Sequence, residues 1–352
     1  MRNPLHPALP SRRTLLATAL LLAATAAQSA ELVDMTGRHV QIPDQVDRVF
    51  AATPPIVPLV YAIDPGKLVT LSFPFKPEDA AYVSPAVMTL PIVGRYTGEG
   101  PPPNPELLAK AAPQLSIAWD MPFIDAKRVE ETFQSLGTPG LFVHLARLAD
   151  YPAALELAGR AIGEEARATQ LANAIRDAMT RVDRAVGAIP AAERKRVYFA
   201  EGPEGLLTEC ADSFHAEVIT LAGGENVMDC KTQAMCGREK MTLEQLKTLD
   251  PDVILADDAK FLARVKTDPA WGALRAVREG QVHLAPSTPF NWLGRPPSFM
   301  RALAIQWFAN RLYPERFPWD ADAEITSFYA LFLGVKPEVV DVRDILGPGV
   351  SR

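Results

Sequence analysis

Two stretches decide how this chain folds: NPELLAKAAPQLSIAWD at 104–120 and TLEQLKTLDPDVILADD at 242–258. Laid over one another without a gap, they match Glu106 with Glu244, Leu108 with Leu246, Pro113 with Pro251, Leu115 with Val253, Ala118 with Ala256 and Asp120 with Asp258, each pair 138 positions apart. Each stretch reads as a helix followed by a short apolar strand. A unit that occurs twice at one offset implies two similar lobes.

Further short apolar runs extend the pattern: RVFAAT (48–53), LVTLSF (68–73), QLSIAW (114–119), GLFVHL (140–145), RVYFAE (196–201), DVILAD (252–257) and QVHLAP (281–286). Runs of this length without alternation suit parallel strands buried on both faces, and helical patterns lie between several of them. The expected fold class is α/β, with two lobes that each hold a mainly parallel sheet flanked by helices.

Between the halves lies EEARATQLANAIRDAMTRVDRAV (164–186), where Leu171, Ile175, Ala178, Val182 and Val186 follow one another at spacings of three and four. That spacing makes one apolar helical face. At 1.5 Å per residue the helix is about 35 Å long, enough to cross a small domain. It reads as a single long connector, stiffer than a glycine-rich linker, that permits only modest rocking of the lobes. The expected divisions are a leader over 1–30, a first α/β lobe over 31–150, a connector region over 151–188 and a second α/β lobe over 189–352.

The leader MRNPLHPALPSRRTLLATALLLAATAAQSA places Arg2, Arg12 and Arg13 before an apolar run too short to span a bilayer, then small residues. This is the layout of a cleaved secretory signal. Ser11-Arg12-Arg13 resembles a twin-arginine signal, and a general export signal accounts for the same charges. The first cysteine is Cys210, so no cysteine stands at the cleavage site for lipid attachment. A free periplasmic protein is expected.

The chain has 36 basic and 42 acidic residues for a net charge of −6, and loss of the leader's three arginines takes this to −9. An acidic balance without a basic stripe argues against nucleic acid or anionic membrane surfaces as partners. Three cysteines, Cys210, Cys230 and Cys236, allow one disulfide in an oxidising compartment, from Cys210 to Cys230 or to Cys236.

Catalytic and cofactor signatures are missing from the sequence: it has no HExxH, no GxSxG and no GxxxxGK[ST], and GEGPPP (98–103) lacks the third glycine of a dinucleotide loop. No enzyme and no cofactor is expected. Four histidines beyond the leader, His39, His144, His215 and His283, lack the spacing of a metal cluster. What stands out instead are bulky and charged residues just after the strands, the edge at which open α/β sheets bind ligands. In the first half these are Thr53 and Pro54, Arg95 and Tyr96, and Trp119. In the second they are Phe199, Glu209, Phe290, Asn291, Trp292 and Arg295. Aromatic faces suit a planar or chelated guest, and arginine offers a fork of donors to an anion. The double proline and serine after Arg295 read as a helix start, whose free N–H groups also favour negative charge.

With these residues in place, the chain resembles the periplasmic substrate-binding proteins of ABC importers that handle iron chelates, haem and cobalamin. The resemblance rests on DMTGRHVQIPDQVDRVFA (34–51), the GRY turn (94–96), PELLAKAAPQLSIAWD (105–120), the connector, FHAEVITLAGGENV (214–227), TLEQLKTLDPDVILAD (242–257), WGALRAVREGQVHLAP (271–286) and RPPS (295–298), in the family's order. It implies a ligand held between the lobes, with Tyr96 and Trp119 on one jaw and Phe290, Asn291 and Arg295 on the other. It further implies docking on a permease through Glu106 and Glu244, although an acid in a first helical turn also complements the helix dipole. The expected function is a monomeric receptor for a metal chelate, a ferric siderophore or related iron complex foremost. Molybdate-like oxyanion, cobalamin or haem are alternatives. A rival of another class is a soft-metal chaperone or redox enzyme built on Cys210, Cys230, Cys236, His215, Met228, Met235 and Met241.

Overall fold

A computed structural model of the chain describes residues 30–96, 100–121, 124–232 and 237–347. The first lobe is built on parallel strands β1 (Val49–Ala51), β2 (Leu115–Trp119) and β3 (Gly140–Val143), in the order β1-β2-β3. The second holds β4 (Arg196–Ala200), β5 (Glu225–Asn226), β6 (Val253–Ala256) and β7 (Val282–Leu284), also parallel, in the order β7-β6-β4-β5. Every residue of β2 and of β6 is buried, which is why these strands read as unbroken apolar runs. The α/β class with parallel sheets flanked by helices is as the sequence indicates.

One expected strand is reduced. LVTLSF makes only isolated parallel bridges, Leu68 to Val49 and Leu71 to Ile92. The segment passes from one neighbour to another within four residues, so no continuous ladder forms.

The internal repeat is visible down to its caps. Helix α2 (Pro105–Ala111) begins at Asn104, whose side chain accepts from the N–H groups of Glu106 and Leu107. Helix α6 (Leu243–Leu249) begins at Thr242, whose hydroxyl accepts from Gln245 N–H in a capping box. Both end on a residue in the left-handed region, Ala112 and Asp250, each with φ 43°. Those residues precede Pro113 and Pro251, which cannot continue a helix.

Between the sheets run α4 (Tyr151–Ile162) and α5 (Glu165–Val186). The expected apolar face of α5 is buried in full, from Leu171 through Val186. The two helices meet closely at Gly159, where a Cβ would lie 2.3 Å from that of Ala168, so only glycine fits. Helix α5 is also fastened to the helices Ile56–Ile63 and Ala321–Leu333: Arg167 donates to the carbonyls of Ala62 and Leu331, and Arg181 pairs with Glu324 at 2.8 Å. The largest apolar cluster runs without a break from Ile117 and Trp119 of the first lobe to Phe199, Phe290 and Trp292 of the second.

A buried ion pair within the second lobe bonds across to first-lobe backbone. Arg301, fully buried at the start of α7 (Arg301–Leu312), donates to the carbonyls of Leu145 and Ala146 at 2.9 Å each and pairs with Glu217 at 2.9 Å. Glu217 in turn accepts from Leu148 N–H at 2.9 Å. Both Nη groups end on first-lobe backbone or on a paired carboxylate, which offsets much of the cost of burying the charge, while Nε has no hydrogen-bond partner among the described residues. No helix among the described residues is long and apolar enough to cross a membrane.

Candidate functional site

The carboxyl ends of β4, β6 and β7 deliver Glu201, Asp257 and Ala285 to one edge of the second sheet. Across this edge lies the loop 286–300, shaped by Asn291, whose side-chain oxygen accepts from the N–H groups of Leu293 at 2.8 Å and Gly294 at 2.9 Å. Asn291 thus spends its acceptor on the loop's own backbone and sets the position of Arg295.

Arg295 is gripped by two carboxylates. Its Nε donates to Glu201 at 2.6 Å and its Nη2 to Glu209. Both acids have fully buried side chains, and each keeps one oxygen, Oε2, without a hydrogen-bond partner among the described residues. Burial raises the Glu201 carboxyl to about 7, outweighing the pull of Arg295 in the other direction, and the neighbouring Glu209 pushes it further up. Asp257, which accepts from Gly202 N–H at 2.8 Å, is likewise lifted by burial to about 6. Burial, reinforced by Arg295, holds the His215 ring down at about 3. The neutral ring donates from Nδ1 to Gly294 carbonyl at 2.7 Å, which supports the residue before Arg295.

Arg238 completes the group. Its guanidinium is 43% exposed and stands 3.8 Å from the Glu201 carboxylate. The hairpin of Leu207–Thr208 with Glu239–Lys240 carries it to the rim.

The carboxyl edge of the first-lobe sheet carries Thr53, Trp119, Asp120 and His144. Thr53 is buried and its hydroxyl accepts from Trp119 N–H at 3.0 Å. His144 donates from Nε2 to Met35 carbonyl at 2.8 Å and turns Nδ1 to Asp120 at 3.5 Å. Arg95 is half-buried, its guanidinium folded against Gly100, where a Cβ would lie 2.8 Å from Nε.

The aromatic residues expected on the jaws are placed differently. Trp119 is 4% exposed and meets Phe214 of the second lobe edge to face. Phe290 is packed against Tyr61 and Phe75 of the first lobe, and Trp292, wholly buried, lies on Trp307. Phe199 lies within the continuous core, and Pro54 is buried at the start of the first helix. Tyr96 gives its hydroxyl to Thr132 and packs its ring on the Phe50, Phe133 and Phe142 cluster. These rings bury their apolar area within the lobes and at their junction. Helix α7 also starts later than expected, at Arg301. Arg295 and Pro296 both precede prolines, which disfavours helical backbone there, so Arg295 lies on the loop and not at a helix terminus.

Cys210 and Cys230 are joined in a disulfide, which removes two thiolates from the soft-metal reading. Met241 belongs to the core beneath β4 and β6, and Met228 packs beside it. Cys236 and Met235 lie outside the described residues. Glu106 and Glu244 are exposed in the first turns of α2 and α6.

Sequence reasoning overlooked Arg238, Asp257 and the pairing of Arg295. Asp257 was within reach, since it ends the strand run DVILAD. Arg238 gave no signal, because its place depends on a left-handed turn with φ 66° that no residue type announces.

Two separate parallel sheets, a long helix between them in the chain and a buried charged group at the carboxyl edge of the second sheet make up a two-lobed α/β fold. The chain belongs to the periplasmic binding protein family, whose profile matches residues 103–289. The solved structure of an ABC transporter solute-binding protein from Sulfurospirillum deleyianum is 34% identical, with a TM-score of 0.82 over 87% of this chain and 95% of that one. The molybdate-bound structure of a Haemophilus influenzae periplasmic binding protein shares the fold, at 18% identity and a TM-score of 0.70 over 87% of this chain and 98% of that one. By sequence, the molybdate-binding protein of Haemophilus influenzae is 28% identical over 150 residues, 42% of this chain and 41% of its own length. An uncharacterised ABC transporter substrate-binding lipoprotein of Bacillus subtilis is 23% identical over 182 residues, 51% of this chain and 57% of its own. The chain thus spans about half the length of the curated relatives it matches. Proteins of this family bind small molecules and work with ABC permeases.

Proposed function

We propose that the cargo is a compact oxyanion of the molybdate type, carried to an ABC permease. The observation that supports this most is the burial of Trp119, Phe290 and Trp292, which leaves charged groups and backbone donors to meet the guest. A small oxyanion needs donors more than apolar area, and guanidinium supplies them in a planar fork. The sequence likeness to a molybdate-binding protein agrees with this choice.

A metal chelate, the cargo the sequence led us to expect, is the second reading. It is favoured by the acidic balance of the edge, where Glu201, Glu209 and Asp257 stand against Arg238 and Arg295. Orphaned carboxylate oxygens suit a guest that brings donors or a cationic centre. Elemental analysis of the protein purified from its own periplasm separates the two: molybdenum or tungsten near one equivalent supports the oxyanion, and iron with an organic chelator supports the second reading and contradicts the first.

For docking, we propose that Glu106 and Glu244 each engage one half of the permease. The support is their exposure on helices that begin, end and turn alike, 138 residues apart.

A further inference from the structure

Two arginines meet at Glu201, and their surroundings differ. Arg295 is 21% exposed and held by two buried acids, so its donors are engaged and its position is fixed. Arg238 is twice as exposed, and among the described residues its guanidinium makes no hydrogen bond. Among the described residues the carboxylate within salt-bridge range is Glu201 at 3.8 Å, beyond hydrogen-bond length and already bonded to Arg295, and Asp257 also feels the Arg238 charge. Arg238 can therefore swing away without leaving Glu201 unpaired.

The backbone supports such a role. Arg238 has φ 66°, a conformation that residues with a side chain rarely adopt and that persists where surrounding structure imposes it. The residue before it, Gly237, also has a positive φ of 63° and sits so close to Glu209 that a Cβ would fall 1.8 Å from Oε2. The turn that presents Arg238 is thus seated against the acid that holds Arg295. Glu201, Asp257, His215 and Arg295 are the charged and titratable groups around it.

We infer that Arg238 is the guanidinium that contacts the anionic guest, and that Arg295 is a positioning residue that braces Glu201 and Glu209 beneath it. The inference rests on the oxyanion reading and names the residue that sets its specificity. Ligand entry would exchange the loose Glu201 contact for a charge-assisted pair with the anion.

Titration calorimetry of the full chain with sodium molybdate tests this on the wild type, Arg238→Gly and Arg238→Lys. Arg238→Gly is expected to weaken binding about tenfold to a hundredfold. Arg238→Lys should fall between, because it keeps the charge and loses the fork. Ligand-free Arg238→Gly should melt at or above the wild-type temperature, since glycine accepts the left-handed turn without strain. Wild-type affinity in Arg238→Gly, or a loss of affinity accompanied by a lower ligand-free melting temperature, would overturn the assignment. Failure of the wild type itself to bind molybdate would overturn the oxyanion reading, and the assignment with it.

Discussion

Trp119 and Phe214 meet edge to face with 5.5 Å between ring centroids and 84° between ring planes, one ring from each lobe. Trp119 sits at the end of a fully buried strand, and its backbone N–H is held by Thr53. Truncation of Trp119 to alanine should therefore cost about 3–5 kcal/mol of stability, through lost burial and the cavity left behind. Urea unfolding reads this directly. A midpoint unchanged from wild type would show that the ring is not part of the junction.

A pH dependence follows from Glu201. Its carboxyl rises on folding from an ordinary 4.5 to about 7, so between those values the folded chain holds a proton that the unfolded chain has lost. This contribution to stability is complete below about 4.5 and disappears as pH rises through about 7. Glu201→Gln keeps the neutral form at every pH. The stability of wild type relative to Glu201→Gln should accordingly fall from pH 5 to pH 8, measured by urea midpoints at a series of pH values. A flat or rising difference contradicts the account.

The disulfide gives a chemical count. Of the three cysteines in the sequence, Cys210 and Cys230 are bonded across a separation of 20 residues. The denatured, unreduced protein should yield one reactive thiol and the reduced protein three. Closing a loop of this size contributes about 3 kcal/mol, so reduction should lower the melting temperature by several degrees. Three reactive thiols before reduction would reopen the soft-metal reading.

Replacing Glu106 and Glu244 together with arginine should leave ligand affinity unchanged and abolish uptake through the permease in a transport assay. Both side chains are exposed, so stability should change by less than about 1 kcal/mol. Uptake at the wild-type rate would remove the docking proposal.

The architecture was legible because its signals are local and repeated. Apolar runs marked the buried strands, the spacing from Leu171 to Val186 marked one face of the connector, and the offset of 138 carried through to matched caps at Asn104 and Thr242. The site was legible only by address. Strand ends pointed to Thr53, Trp119 and Arg295, but whether an aromatic ring turns to a guest or to the other lobe depends on contacts between residues such as Trp119 and Phe214, 95 positions apart. The same holds for Arg295, whose partners Glu201 and Glu209 lie 94 and 86 residues away. Conformation hid Arg238, since its left-handed backbone, beside the close seat of Gly237 on Glu209, is not signalled by arginine's own propensity.

The central claim is that charged groups at the lobe junction, not aromatic faces, capture the guest. Side-by-side titration of the ligand-free receptor with sodium molybdate and with a ferric hydroxamate chelate tests it most directly. One molybdate per chain, with no saturable heat from the ferric chelate, is the result this account predicts. Saturable binding of the ferric chelate with none for molybdate would contradict it.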